Sequence, residues 1–179
     1  MRLTSIAVFC GSRSGNQSCY EEDASMVGRL AAINKMKIVY GGGNKGLMAA
    51  VANAALAAGG EVVGVIPDLL CNWEHQHEGL TALHVVTDMH SRKKMMYDMC
   101  DAAIVLPGGF GTMDELFEMI TWNSLSIHNK KIILLNSGGY YDPLLLFIDR
   151  MFEQGFLWAD WKDRIAVFKN AEAIFSSLG

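Results

Sequence analysis

The sequence is poor in proline and cysteine and has no long apolar run, and each shortage excludes a class of protein. Three prolines among 179 residues, with 51% hydrophobic residues, exclude a collagen-like or disordered chain. The four cysteines form no CxxC pair and no metal-ligand spacing, so we expect reduced core residues and no metal site. The longest uncharged run, residues 46–60, is shorter than the roughly 18 apolar residues that a membrane span needs.

Positive charge is also scarce. The chain has 15 Lys and Arg against 19 Asp and Glu, a net charge of −4, which argues against a surface that coats nucleic acid. A local pocket for a single phosphate is compatible with this total. Residues 1–5 contain neither an apolar stretch nor a cleavage site, so we expect no signal peptide, no membrane association and a cytoplasmic location.

Short apolar runs alternate with longer amphipathic stretches along the chain. The predicted strands are residues 6–10, 38–40, 62–66, 83–86, 102–106, 132–135 and 165–168. The predicted helices cover about 18–33, 46–58, 91–98, 112–127, 143–152 and the end of the chain, while 68–80 is predicted as a loop or short helix. Strands that are apolar throughout indicate a parallel sheet that is covered on both faces. Residues 1–179 therefore predict one α/β domain, a single doubly wound, Rossmann-like parallel sheet with helices on both faces.

Three glycine-rich turns follow predicted strands, at residues 11–12, 41–43 and 108–111. Ligands bind to such sheets outside the carboxyl ends of the strands, so these turns are expected to build the site. Residues 41–46 formally match GxGxxG, and Asp68 has the spacing of a ribose contact, which would suggest a dinucleotide. The match is short and follows the second strand, so a tight turn beside the sheet is the alternative. We favour close approach to a phosphate or sugar over full NAD binding.

Residues 107–115 are the segment richest in chemistry. Its glycines remove Cβ atoms that would block a ligand, and free N–H groups at a helix start attract an anion. Thr112 and Glu115 also have the spacing of a capping box. Glu115 is therefore interpreted as a helix cap, as an ionised carboxylate facing the ligand, or as both; the second role suits a general base or a cation stabiliser.

Arg92, Lys93 and Lys94 begin another predicted helix. Because positive charge there opposes the helix dipole, these cations are expected either to face solvent or to meet an anion, a phosphate or Glu115. His75 and His77 lie two residues apart and would face opposite sides of a helix, so we predict surface residues rather than metal ligands.

With these motifs in view, the chain resembles the LOG ("lonely guy") family of cytokinin riboside 5′-monophosphate phosphoribohydrolases, which were long labelled lysine decarboxylases. The resemblance spans nearly the whole chain and rests on residues 10–12, 41–48, 88–93 and 107–115. It implies that Arg92 and Glu115 are catalytic. The substrate-binding residues that it implies are Glu74, Met89, Arg92, Lys93, Gly108, Gly109, Phe110, Gly111, Thr112, Met113, Asp114, Glu115 and Thr121.

The resemblance also implies a hydrolase that cleaves the N-glycosidic bond of a purine nucleoside 5′-monophosphate, AMP or an N6-substituted AMP. It implies no cofactor and no metal, and a homodimer with the site near the subunit interface. A non-catalytic nucleotide-binding protein is the first alternative, and an NAD-type oxidoreductase is the second. Lysine decarboxylase is disfavoured, because no lysine environment suited to pyridoxal phosphate is recognisable.

Overall fold

The computed structural model describes residues 3–71, 75–158 and 161–178. Within these ranges strands and helices alternate along the chain. The strands are β1 (Ser5–Phe9), β2 (Lys37–Tyr40), β3 (Val62–Pro67), β4 (Ala82–Val86), β5 (Ala102–Val105), β6 (Lys131–Leu135) and β7 (Ile165–Phe168). The helices are α1 (Ser18–Ile33), α2 (Gly46–Ala57), α3 (Asp68–Cys71), α4 (Met89–Asp98), α5 (Phe110–Ser124), α6 (Asp142–Glu153) and α7 (Ala171–Leu178). Short 3₁₀ turns lie at Ser137–Gly139 and Trp161–Asp163.

The strands form one sheet in the order β4-β3-β2-β1-β5-β6-β7, and every pairing between them is parallel. The chain builds outwards from β1 to β4 and then returns to the other side of β1 as β5. In the register, Ile6 lies opposite Ile38 on one side and Ala102 on the other. The reversal of winding between β1 and β5 opens a crevice at their carboxyl ends, where such sheets bind ligands. The predicted doubly wound parallel sheet is confirmed.

Two apolar layers cover the sheet. Along β1, Ile6 and Val8 belong to the layer under α1, α2 and α7, while Ala7 and Phe9 belong to the layer under α4, α5 and α6. This alternation follows from the two-residue period of a strand, and it explains why a central strand with both faces covered is apolar throughout. None of the helices in the described ranges is both long and apolar enough to cross a membrane.

Two helices begin two residues earlier than the sequence pattern predicted. The helix α4 begins at Met89 rather than residue 91, because the Asp88 carboxylate caps it by accepting the backbone N–H of Ser91 at 2.8 Å. The helix α5 begins at Phe110 rather than residue 112, and it ends at Ser124 rather than about residue 127. Both starts lie at the carboxyl edge of the sheet, so the difference changes which residues face the crevice.

Candidate active site

A cavity of about 190 Å³ lies at the carboxyl ends of the central strands, beside the start of α5. Its lining combines the first turn of α5 with groups from the β1–α1 and β2–α2 turns and from α4. The predicted site residues that line it are Met89, Arg92, Gly109, Phe110, Gly111, Thr112 and Glu115. The structure thus brings together residues from two separate sequence motifs, and their contact with a nucleotide stays a prediction.

Arg92 enters this cavity from α4 and is only 5% exposed. Its Nε donates to the carbonyl of Val65 at 3.1 Å, and its Nη2 donates to the carbonyl of Gly41 at 2.8 Å. These bonds to carbonyls of β3 and of the turn after β2 fix the plane of the guanidinium. Of the two alternatives for this cation, the burial of Arg92 is incompatible with a solvated charge.

The glycine turn after β2 is filled by groups of this chain. A Cβ on Gly41 would lie 2.1 Å from Arg92 Nη2, and a Cβ on Gly46 would lie 2.4 Å from the backbone N of Arg13. Gly42 has a φ of +77°, which favours glycine. These glycines make room for the arginine and for a neighbouring loop, which favours the tight-turn interpretation over a dinucleotide-binding loop.

The start of α5 is built differently. Gly109 is the N-cap residue, no side chain caps the helix, and the first helical bond runs from Met113 N–H to the Gly109 carbonyl at 3.1 Å. The N–H groups of the first turn therefore lie outside the helix's own hydrogen bonds. Within the part of the chain that the structure describes, a Cβ on Gly109 or Gly111 would meet no atom within 4 Å, so these two glycines leave space beside those donors.

The capping box predicted for Thr112 and Glu115 is wrong, because α5 begins two residues before Thr112. Both side chains instead lie on the inner side of the helix, and both are buried and line the cavity. Glu115 is 9% exposed. Glu115 is thus the sixth residue of the helix, and its side chain lines the cavity.

Tyr97 is a supporting residue that the sequence analysis missed. It lies on α4, and its Oη donates to the backbone carbonyl of Glu115 at 3.2 Å. Burial raises the pKa of Tyr97 far above its ordinary value, so the phenol keeps the proton that it donates. The ring also packs edge-on against Phe9 and Trp122. Tyr97 therefore ties α4, which carries Arg92, to the turn of α5 that carries Glu115.

Lys93 is buried beside the cavity and does not line it. Its Nζ lies 3.0 Å from Asp114 Oδ2 and 3.1 Å from Glu118 Oε1. Burial by itself would lower the pKa of Lys93, but the hydrogen bonds and charges of Asp114 and Glu118 outweigh it and raise that pKa. Lys93 and Asp114 thus form a second link between α4 and α5, with Glu118 as a partner that no motif indicated. Nucleotide contact by either residue stays a prediction.

The remaining predicted residues lie at different distances from the cavity. Gly108 lines an adjoining cavity of about 370 Å³, and Met113 packs against the apolar layer under α4, α5 and α6. Thr121 donates its hydroxyl to the Phe117 carbonyl at 2.7 Å and lines a separate apolar groove. Glu74 lies outside the described residues. The structure does not bring Thr121 to the cavity within one chain.

His77 corrects a further expectation, because it is buried rather than on the surface. Its Nδ1 accepts the backbone N–H of Gly79 at 3.0 Å, which assigns the ring proton to Nε2, 2.9 Å from Asn53 Oδ1. Burial lowers the pKa of His77. The neutral imidazole of His77 therefore links the loop before β4 to α2 by hydrogen bonds. His75 is exposed, as predicted.

Comparison with known proteins places this arrangement in a family. A family model described as "Possible lysine decarboxylase" matches residues 48–178. A cytokinin riboside 5′-monophosphate phosphoribohydrolase of Rhodococcoides fascians is 46% identical over 175 residues, which cover 97% of this chain and 88% of the relative. The phosphoribohydrolase LOG7 of Arabidopsis thaliana is 46% identical over 177 residues, covering 99% of this chain and 82% of the relative.

Solved structures share the fold at lower identity. The molybdenum cofactor carrier protein of Chlamydomonas reinhardtii superposes with a TM-score of 0.75 at 17% identity, over 99% of this chain and 96% of its own. The molybdenum cofactor binding protein of Rippkaea orientalis gives a TM-score of 0.74 at 19% identity, with the same coverage. These two comparisons concern the fold alone.

Proposed function

This chain belongs to the LOG family of cytokinin riboside 5′-monophosphate phosphoribohydrolases, and from that premise we propose that it hydrolyses the N-glycosidic bond of a purine nucleoside 5′-monophosphate. The products are the free base and ribose 5-phosphate. One observation carries the proposal: a buried arginine and a buried glutamate, Arg92 and Glu115, line one cavity with an uncapped helix start. This set combines an anion site with a carboxylate suited to a developing cation.

The proposed chemistry uses the two charges in different roles. Cleavage of the bond passes through an oxocarbenium-like ribosyl cation, the problem that glycosidases solve with carboxylates. Glu115 stabilises that cation and orients or deprotonates the attacking water. The water oxygen bonds to C1′ as the C1′–N bond breaks, and the water's proton ends on the departing base.

Arg92 orients Glu115 and engages the ribose or its phosphate. The guanidinium has five N–H donors in a planar fork, which lysine does not copy. The carbonyls of Val65 and Gly41 already hold that fork in one plane. The site therefore presents its cation in a set geometry before substrate arrives, which reduces the reorganisation that the transition state requires.

The start of α5 is the proposed seat of the 5′-phosphate. Its first-turn N–H groups and the positive end of the helix dipole both favour an anion, and Gly109 and Gly111 leave the approach open. Phosphate held there positions the sugar for attack. Phe110, 98% exposed at the same turn, and half-exposed Met89 offer apolar surface to the base end of the substrate.

The finer parts of the assignment are also proposals. We propose AMP or an N6-substituted AMP as substrate, without nucleic acid as a partner, and a homodimer, supported by exposed apolar side chains of α6 such as Leu146 and Phe147. Size-exclusion chromatography with light scattering tests the dimer. The four cysteines are free, which is compatible with the cytoplasmic location that we propose.

The direct experiment incubates the protein with AMP and with N6-isopentenyl-AMP and follows the free base by chromatography. We expect release from at least one of them, and a loss of at least about 100-fold in Glu115→Gln, because removing a group that acts in the transition state typically costs this much. Glu172→Gln, on the exposed side of α7, is the matched control and should behave as wild type. Binding without release would favour the non-catalytic nucleotide-binding alternative.

A further inference from the structure

Three consecutive carbonyl groups leading into α5 are each held by a hydrogen bond from another part of the chain. The Leu106 carbonyl accepts from Tyr141 Oη at 2.6 Å, and the Pro107 carbonyl accepts from Gly11 N–H at 3.0 Å. The Gly108 carbonyl accepts from Tyr140 Oη at 2.6 Å. Two adjacent tyrosines that follow β6 therefore form hydrogen bonds to the turn that leads into the proposed phosphate-binding site.

The two tyrosine bonds have different consequences, because a peptide unit is planar and trans. Its C=O and N–H point in opposite directions, so a bond that fixes the carbonyl also fixes the N–H. The unit that Tyr141 holds ends in Pro107, which has no N–H. The unit that Tyr140 holds ends in Gly109, the N-cap of α5, whose N–H lies outside the helix's own bonds. Tyr140 is thus the tyrosine whose hydrogen bond orients a free backbone donor, the N–H of Gly109.

The Gly108–Gly109 unit is packed at its first residue and open at its second. A Cβ at Gly108 would lie 2.1 Å from Thr112 Oγ1, whereas a Cβ at Gly109 would meet no atom of the described residues within 4 Å. Because both residues are glycines, rotation of the unit meets less steric hindrance than it would for other residues. A rotated unit would turn the Gly108 carbonyl oxygen toward the position proposed for the phosphate, where it would repel the anion. Tyr140 itself is supported by edge-on contacts of its ring with Tyr20 and Tyr141.

We infer that Tyr140 is a positioning residue for phosphate recognition, which acts by orienting the Gly109 N–H rather than by touching the substrate. This inference rests on the proposed function, because it assigns the start of α5 to the 5′-phosphate. Tyr140 is 41% exposed, whereas Tyr141 is 1% exposed. The cost of deleting its hydroxyl therefore falls on ligand binding more than on folding.

The test compares Tyr140→Phe with Tyr141→Phe, since each removes one hydroxyl that donates at the same distance. For Tyr140→Phe we expect the dissociation constant of ribose 5-phosphate, measured by titration calorimetry, and the KM for AMP to rise about fivefold, the worth of one hydrogen bond, with kcat little changed. Adenine binding should not change. For Tyr141→Phe we expect a Tm lower by about 3–8 °C, from the buried carbonyl left unpaired, and a dissociation constant near that of the wild type.

Equal weakening of ribose 5-phosphate binding in both variants would overturn the inference, because the tyrosines would then have a common structural role. So would unchanged binding in Tyr140→Phe, or a wild-type protein that cleaves AMP without measurable affinity for ribose 5-phosphate. The binding measurement requires no turnover. A wild-type protein that binds ribose 5-phosphate but releases no base would therefore contradict the proposed function and still allow the Tyr140 comparison to be read.

Discussion

Alanine in place of Gly28 or of Gly41 would place its Cβ at nearly the same short distance from a neighbouring atom. We nevertheless expect the first variant to lose stability and the second to lose activity. A Cβ on Gly28 would lie 2.2 Å from the backbone carbonyl oxygen of Val51, where α1 crosses α2. A Cβ on Gly41 would lie 2.1 Å from Nη2 of Arg92. The first obstacle is helix backbone, and the second is the end of a long side chain.

For Gly28→Ala the two helices must separate, and overpacking of this kind costs about 1–3 kcal/mol. The better helix propensity of alanine returns up to about 1 kcal/mol. With about 1 kcal/mol returned, the net cost is up to about 2 kcal/mol, and because Tm falls by about 2–4 °C per kcal/mol in a domain of this size, we expect a loss of up to about 8 °C. Gly28 does not line the cavity, so kcat/KM of the folded enzyme should stay within about twofold of the wild type, as is usual for sites with no shared partner.

For Gly41→Ala we expect the opposite pattern. The guanidinium of Arg92 must move from the Gly41 carbonyl into the open cavity, where water replaces the lost hydrogen bonds, so Tm should fall by no more than about 2–4 °C. A displacement of about 1 Å in a catalytic group costs on the order of 100-fold in rate, and we expect that loss in kcat/KM for AMP. Base release and thermal unfolding are measured on both variants. A Gly41→Ala enzyme with wild-type kcat/KM would refute the requirement for Arg92 in its observed position.

Three further variants test other parts of the site. Gly111→Ala should fold as stably as the wild type, since its Cβ enters open space, but should bind ribose 5-phosphate more weakly by calorimetry. Lys93→Met should lower the free energy of unfolding, measured in urea, by about 1–2 kcal/mol. This loss is smaller than that for breaking a fully buried ion pair, because Asp114 is 55% exposed. A large rise in the KM of the folded enzyme, which a loss of stability does not explain, would indicate nucleotide contact by Lys93. For His77, burial lowers the folded-state pKa, so its stabilisation is present above the unfolded pKa of about 6.5 and declines as the pH falls below it. The free energy of unfolding should therefore fall from pH 7.5 to pH 5.5 by less in His77→Gln than in the wild type, and equal declines would contradict this.

The fold follows from features that are local in the sequence. Runs such as residues 102–106 are apolar without alternation because both faces of a central parallel strand are buried, and the helices between them show the spacing of one covered face. The two helix starts, Met89 and Phe110, were missed for different reasons. The N-cap of α5 is Gly109, which has no side chain to signal a cap. The N-cap of α4 is Asp88, a residue type that favours this position, and the hydrophobic pattern alone did not use that signal.

The partners of the site residues were harder to predict than the residues themselves. Arg92 and Glu115 were identified from motifs, but the bonds of Arg92 to the carbonyls of Val65 and Gly41 join positions 27 and 51 residues apart in sequence. Backbone carbonyls carry no side-chain signature, so no motif shows them. The same holds for the carbonyl of Gly108, to which Tyr140 donates across 32 residues. Sequence patterns find the charged side chains, and the folded chain shows what orients them.

The two glycine motifs of this chain show why such patterns are ambiguous about ligands. In the first, a Cβ at Gly41 would collide with Arg92, so the glycine exists to admit a side chain of the same protein. In the second, a Cβ at Gly109 or Gly111 would meet no atom of the described residues within 4 Å, and this is the space that we propose for the phosphate. Both motifs are glycine-rich turns between a strand and a helix, and the glycines alone do not show what occupies the space beside them. Under the proposed function the two motifs act together, since the first sets Arg92 in the cavity where the second is proposed to bind the phosphate.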